Sequence, residues 1–483
     1  MTSVLKFGGT SVATADAIER VCRIVRGVGS TPVVVVSATA GTTNALIAAS
    51  RAAALGDVVA SESTMARLSA SHDDLLRKAA RKDEGGDATG ALEELAQRTK
   101  ALLRSVAILH ECSARSQDAI ASYGELASSE IVAAALRSHG IAAQAVPATR
   151  IVVTDDAFGN ASPAFEETYA RARTELEPMI RRGQVPVVTG FIGATREGVT
   201  TTLGRGASDY TAAILAGALK ADQCLIYTDV SGVMSADPRI VEGARPIGHL
   251  SYAEAAELSY FGAKVLHPRA VLPAIEVGIP VRILNTFAPD DEGTTITADA
   301  APDGPIVKAT TSLGGLGLLT VQGAGMSGIP GFAARVFDTT ADERISVLMI
   351  SQASSENSIC LVVTADTTDR LRAALQRMLA KELAHHDVER VTVEKPIAVV
   401  AAVGEGMRGT PGVAARVFGA VARAGVNVIA IAQGSSELNI SFCVHEADQA
   451  RAVRAIHEEF RSSSSQGTLS PAPPGSRATE PVR

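Results

Sequence analysis

The chain has no tryptophan, and aromatic residues make up only 4% of its 483 positions, so its core must rest on Ala, Val, Ile and Leu. Disulfide and structural-zinc scaffolds are also excluded. The five cysteines (Cys22, Cys112, Cys224, Cys360, Cys443) are odd in number, scattered, and form no CxxC pair. That is the pattern of a reducing compartment, and no metal site is expected. No apolar run reaches the ~20 residues a membrane-spanning helix needs. Positive charge is not in excess either: 45 Lys and Arg stand against 52 Asp and Glu, which speaks against non-specific nucleic-acid binding. A site for anions must gather its cations locally.

What is present is an alternation of β-branched runs with helical patterns over residues 1 to about 300. Val33–Val36, Val185–Val188, Leu225–Tyr227 and Val281–Leu284 read as buried strands. Leu92, Leu95, Leu102, Val106 and Leu109 read as one face of a helix. Strands separated by helices predict an α/β fold, a mostly parallel central sheet covered on both faces. Ligands of such sheets gather at the carboxyl ends of the strands. Asp83–Gly90 reads as a loop between surface helices, and Asp290–Pro305 as the end of this unit and the link onward. The Ser/Pro/Gly-rich tail 462–483 is expected to be disordered.

Lys6-Phe7-Gly8-Gly9 follows the apolar pair Val4-Leu5, and Ala17, Ile18, Val21 and Ile24 then recur at helical spacing. Two glycines let backbone approach a polyanion, a helix start offers free N–H groups, and a lysine adds mobile charge. By itself such a segment is equally a tight turn beside a solvated lysine. Because this motif begins at Lys6, a signal or transit peptide is not expected, and the expected location is cytoplasmic.

An internal repeat occupies the second part. Met326–Phe337 (MSGIPGFAARVF) aligns with Met407–Phe418 (MRGTPGVAARVF), and Ile345–Ser358 with Val426–Asn439, both at an offset of 81 residues. Each repeat carries a GxGxxG (Gly323, Gly325, Gly328; Gly404, Gly406, Gly409). A dinucleotide fold would need an acidic residue closing the next strand, where Gln352 and Gln433 stand. Pro330 and Pro411 fit a helix-start position.

Further segments accompany the lysine loop: Ser37–Asn44 (SATAGTTN), Tyr123–Leu126 (YGEL), Thr202–Thr211 (TLGRGASDYT), Tyr227–Val233 (YTDVSGV) with Asp237–Arg239, and Phe261–Pro268 (FGAKVLHP). In this order they resemble the aspartate kinases, a branch of the amino acid kinase family, over about residues 3–460. The resemblance implies a three-layer sandwich (amino acid kinase fold) over 1–300. Two ferredoxin-like βαββαβ ACT domains would follow, at 310–395 and 396–461. It also implies transfer of the ATP γ-phosphoryl group, with Mg²⁺ accompanying the nucleotide, to the β-carboxylate of L-aspartate. That is the first step of lysine, threonine and methionine biosynthesis.

By resemblance, Lys6 contacts the transferring phosphate beside Gly8 and Gly9, and Asp209 orients the lysines. Ser208 meets the reacting groups, Arg205 grips the substrate α-carboxylate, Glu125 its ammonium, and Thr43 and Phe191 complete the acceptor pocket. The nucleotide falls to Ser37, Thr228, Asp229, Met234, Arg239 and Lys264, with Met234 standing where relatives often carry Tyr. Asp209 also reads as the N-cap of a helix starting near Tyr210, and Glu125 as an ordinary acid in a helix's first turn. No protein metal ligand is named.

Gln352 and Gln433 resemble the effector turns of the threonine-sensitive type, often fused to a homoserine dehydrogenase, a fusion not expected here. Read alone, these glutamines could instead satisfy turn backbone. L-threonine is the expected effector, with lysine or dual regulation as the alternative. ACT pairing across subunits implies a homodimer or a dimer of dimers. Competing readings are kinases of carbamate, N-acetylglutamate or glutamate, and a catalytically inactive amino acid sensor.

Overall fold

The structure, a computed structural model, describes residues 2–204, 206–260, 268–299 and 304–461. The tail 462–483 lies outside them. Two compact units emerge, one running to Pro238 and over Gly243–Gly304, the other comprising Arg239–Glu242 and the chain from Pro305.

The first unit carries strands β1 (Ser3–Phe7), β2 (Val33–Val36), β3 (Ala143–Val146), β4 (Val185–Thr189), β5 (Ile192–Ala194), β6 (Thr200–Thr202), β7 (Gln223–Thr228), β8 (His249–Ser251), β9 (Val281–Asn285) and β10 (Thr294–Thr297). Its helices are α1 (Ala15–Gly27), α2 (Thr42–Ala54), α3 (Val58–Ala79), α4 (Lys82–Leu109), α5 (Ala114–Ala121), α6 (Tyr123–Ser138), α7 (Phe165–Arg181), α8 (Ala207–Leu219), α9 (Tyr252–Tyr260) and α10 (Pro268–Glu276). Among the described residues eight strands form one sheet in the order β3-β4-β2-β1-β7-β9-β10-β8, while β5 and β6 pair as a separate ribbon. From β3 to β9 every pairing is parallel; only β10 against β9 is antiparallel.

Parallel strands are buried on both faces, which is why β2 reads VVVV and all four residues are fully covered. β1 shows how the layers divide. Leu5 and Phe7 enter the core shared with α1 to α6, and alternation turns Lys6 to the other face, where α8 lies. The result is the expected three-layer sandwich with a mostly parallel sheet.

Three local readings are corrected. Asp83–Gly90 is not a loop but the first turns of α4. Gly85, Ala88 and Leu92 are buried at helical spacing, and Asp83 and Glu84 suit the positive end of the helix dipole. The buried stripe of α4 continues through Ala96, Thr99, Leu103 and Val106, so Leu109 is exposed. Asp290–Pro305 is not all linker, since it contains β10.

The second unit carries β11 (Ala309–Gln322), α11 (Phe332–Asp342), β12 (Met349–Gln352), β13 (Ser358–Thr364), α12 (Thr368–Met378), α13 (Ala380–Ala384), β14 (Arg390–Val403), α14 (Val413–Arg423), β15 (Ala430–Ala432), β16 (Asn439–His445) and α15 (Gln449–Arg461). Its described strands make one antiparallel sheet, β12-β13-β11-β14-β16-β15. The long strands β11 and β14 each serve both modules. Leu316–Gln322 pairs with β13, and Leu318–Gln322 also with Arg390–Glu394, whereas Ala309–Leu313 pairs with Val399–Val403. The second βαββαβ module thus takes its fourth strand from chain that precedes the first.

The paired GxGxxG segments have a packing origin. A Cβ on Gly323 would lie 2.2 Å from the Asp387 carbonyl, and one on Gly404 2.4 Å from that of Ile306. Pro330 and Pro411 are not first helical residues: Gly331 (φ 82°) and Gly412 (φ 86°) are the N-caps of α11 and α14, each one residue after the proline. No described helix is long and apolar enough to cross a membrane.

Candidate active site

Four neighbouring parallel strands deliver their carboxyl ends to one place. β1 leads to Gly8, β2 to Ser37, β4 to Gly190 and β7 to Asp229. Lys6, nearly buried, places Nζ 2.7 Å from Asp209 Oδ1, with the two side chains 11% and 13% exposed. The contact is close but off the axis of a regular hydrogen bond. Asp209 is not an N-cap. Helix α8 begins at Ala207 behind Gly206 (φ 70°), which leaves Asp209 in the first turn, aimed at the sheet.

The loops meet at contact distance. A Cβ on Gly9 would lie 2.7 Å from the Ala38 carbonyl, and one on Gly190 2.6 Å from Ser208 Oγ, so glycine is required at both. The glycine loop differs from expectation in one respect. The Gly8 N–H donates to the Tyr227 carbonyl (3.2 Å), and a short 3₁₀ turn (Gly9–Val12) intervenes before α1. Gly9 opens that turn, and its carbonyl accepts from the Ala40 N–H (3.2 Å). Phe191 sits in the left-handed region (φ 66°), half-buried, its carbonyl accepting from the Leu203 N–H.

Glu125 lies in the first turn of α6 but is no ordinary helix-start acid. It is 3% exposed; Oε1 accepts from the Ala38 N–H (3.2 Å), and Oε2 is buried without a partner. Burial pushes its carboxyl up to about 8, against the smaller opposing effect of hydrogen bonds from the Ala38 and Glu125 backbone. A buried carboxyl oxygen without a protein partner suits a cationic group. Thr43 is half-buried at the start of α2, on the loop that supplies Ala38.

The expected nucleotide residues are less closely gathered. Ser37 donates its N–H to the Phe7 carbonyl, which sets the β2 loop beside the β1 loop. Thr228 donates to the carboxylate of exposed Asp229 at the end of β7. Met234 is half-buried and bridges to Pro246. Arg239 falls in the second compact unit, whereas Arg205 and Lys264 lie outside the described residues. In the second unit Gln352 lines a cavity of about 470 Å³ with Met326, Ile329, Phe332, Glu356 and Ile359. Gln433 is exposed at the equivalent turn.

Asp118 was not singled out in the sequence. Buried at 3% exposure on α5, it accepts from the N–H groups of Gly159 (2.9 Å) and Thr202 (2.8 Å) and from Thr202 Oγ1 (2.8 Å). It anchors β6 immediately before Leu203-Gly204. Asp118→Ala leaves the Gly159 and Thr202 donors without their acceptor and is expected to lower stability by about 2 kcal/mol. Urea unfolding at the wild-type midpoint would show that the carboxylate does not hold this loop.

Sheet, glycine loop and buried cation–carboxylate pair together form an α/β unit with one charged site at its strand ends. The amino acid kinase family model matches residues 1–285, and the ACT domain model matches 319–379 and 400–460. A bifunctional aspartokinase/homoserine dehydrogenase of Zea mays is 36% identical over 95% of this chain, but the match spans only 50% of the maize protein. Aspartokinase 3 of Arabidopsis thaliana is 35% identical over 98% of this chain and 84% of its own length. E. coli aspartokinase III, solved with aspartate and ADP, superposes with TM-score 0.81 at 34% identity, over 95% of this chain and all of that one. The same enzyme with lysine and aspartate gives 0.78 over 95% and 99%. This chain belongs to the amino acid kinase family, in its aspartokinase branch with ACT domains.

Proposed function

We propose that this chain transfers the γ-phosphoryl group of ATP to the β-carboxylate of L-aspartate, giving 4-phospho-L-aspartate and ADP. The supporting observation is the Lys6–Asp209 pair at the strand carboxyl ends, with Gly9 in close approach and Glu125 Oε2 unpartnered. A carboxylate nucleophile is already ionised at neutral pH and needs no general base. The task is to bring two anions together, and oriented cations and N–H groups lower that barrier. Lys6 neutralises the transferring phosphate beside the Gly8-Gly9 loop, and Asp209 holds the lysine in line. Glu125 takes the substrate ammonium and Arg205 the α-carboxylate, while Thr43, Phe191 and Ser208 complete the acceptor pocket. Ser37, Thr228, Asp229, Met234 and Lys264 serve the nucleotide. Mg²⁺ arrives with ATP, held mainly by phosphate oxygens and water.

Coupled ADP release with L-aspartate, L-glutamate, N-acetylglutamate and carbamate tests the reading. Turnover is expected with aspartate alone. Activity confined to another acid, or to none, overturns it.

The catalytic part is taken as residues 1–300 and the regulatory ACT modules as 310–395 and 396–461, with ACT pairing giving a homodimer or dimer of dimers in the cytoplasm. Gln352 and Gln433 bind L-threonine as inhibitor, a reading supported by Gln352 lining the cavity. Lysine is the second candidate: a carboxylate, Glu356, lines the same cavity, and the E. coli relative was solved with lysine. Titrating threonine, lysine and both against initial rate is expected to show inhibition by threonine. Inhibition by lysine alone would reassign the effector.

A further inference from the structure

The acceptor side contains a buried histidine that the reaction does not use. His72, on α3, is 2% exposed, and burial holds its imidazole down at about 4, so it is neutral across the physiological range. Both ring nitrogens are engaged. Nε2 lies 3.1 Å from Thr39 Oγ1, and Nδ1 lies 3.3 Å from the hydroxyl of Tyr123, which is itself 1% exposed. Thr39 Oγ1 is in turn 2.7 Å from Thr42 Oγ1. The imidazole and the Tyr123 ring pack edge to face at 5.4 Å between centroids.

The two ends of this chain are the two walls of the acceptor pocket. Thr39 and Thr42 bracket the turn of the β2 loop, which leads into Thr43 and whose Ala38 N–H holds Glu125 Oε1. Tyr123 opens α6, two residues before Glu125. Gly124 lies between them, and a Cβ there would approach the Ala38 Cβ to 2.6 Å and Thr42 Cγ2 to 3.0 Å, so the walls touch and little slack exists. A neutral imidazole has one N–H and one lone pair. It therefore links the two hydroxyls as a chain of hydrogen bonds with a single direction, whichever tautomer it adopts.

We propose that His72 is a positioning residue for the acceptor amino acid, tying the β2 loop to the start of α6 so that Glu125 and Thr43 keep their separation. It touches neither substrate nor nucleotide. A packing histidine could be replaced by any ring of its size; a tie cannot. The proposal rests on the assignment of this pocket to the amino acid substrate.

The test uses the full chain and four variants. His72→Phe keeps ring bulk and removes both contacts. Thr39→Val removes the loop hydroxyl alone. His72→Gln restores a group at the Nε2 position, and the fourth variant combines His72→Phe with Thr39→Val. His72→Phe is expected to raise the KM for aspartate by about tenfold while the KM for ATP changes little, with a lowered melting temperature from the stranded Tyr123 hydroxyl. Thr39→Val is expected to raise the aspartate KM similarly, the double variant no further, and His72→Gln to recover part of the loss. An unchanged aspartate KM in His72→Phe overturns the proposal. So does a loss shared equally with ATP, or additive effects in the double variant. Wild-type protein without aspartate turnover would instead overturn the assignment of the pocket, and with it the proposal.

Discussion

Lys6→Met is expected to lower kcat by about 10³-fold or more, with the second unit's effector binding unchanged. Lys6 is fixed by the pleat of β1, its ammonium 2.7 Å from Asp209 and nearly shielded from water. An ammonium in such a place acts on a developing phosphoryl charge without having to reorganise, which is where electrostatic stabilisation is largest. Methionine keeps the stem and removes the charge. The variant also strands the Asp209 carboxylate, so unfolding should show a loss of about 3 kcal/mol, the low end for a pair that keeps slight exposure. Asp209→Asn in the Lys6→Met background should recover part of that stability and none of the activity, because it removes the orphaned charge without restoring the cation. Initial rates by ADP release, denaturant midpoints and threonine titration separate the three effects. A Lys6→Met enzyme with near-normal turnover takes Lys6 out of the mechanism.

Glu125→Gln gives the second large effect, and its sign depends on ligand. In the empty protein burial raises the Glu125 carboxyl to about 8, far above its value in an unfolded chain. The folded state then holds a proton that the unfolded state releases, so wild-type stability should fall as pH rises from about 4.5 to about 8 and level off beyond. Glutamine does not titrate. The variant should therefore match the wild type near pH 5 and exceed it at pH 8, by roughly 2–4 kcal/mol. Aspartate should reverse the order, since its ammonium would meet the orphan Oε2 and stabilise the ionised form in the wild type alone. Turnover by Glu125→Gln at millimolar aspartate is expected to fall at least about 100-fold. Thermal melts across pH 5–8, with and without aspartate, would show the crossing. Parallel stability curves for the two proteins would exclude a buried titrating carboxyl.

How much of this was legible depended on whether a signal was local. The β2 run VVVV announces itself, because a strand covered on both faces has no polar residue to confuse it. The glycine loop, the Ser208-Asp209 segment and Glu125 were found through the order of motifs, and Lys6, Asp209, Gly190 and Ser208 do meet. The start of α4 was illegible, since Gly85, Gly86 and Gly90 carry low helix propensity and only tertiary burial overrides it. Asp118 and His72 were missed for a related reason. His72 shares a face of α3 with Met65, Leu75 and Leu76, and that spacing marks burial but not its partners on Thr39 and Tyr123. The polar strand Ala309–Leu313 lies outside the visible repeat, so nothing in it points to a neighbour at Val399–Val403.

That borrowed strand makes the duplicated half inseparable. Severing the chain between the repeats would strip the later module of an edge already laid down before the earlier one began. The pair should therefore melt as a single cooperative block, and neither copy could be lost, swapped or transplanted alone without leaving an open sheet behind.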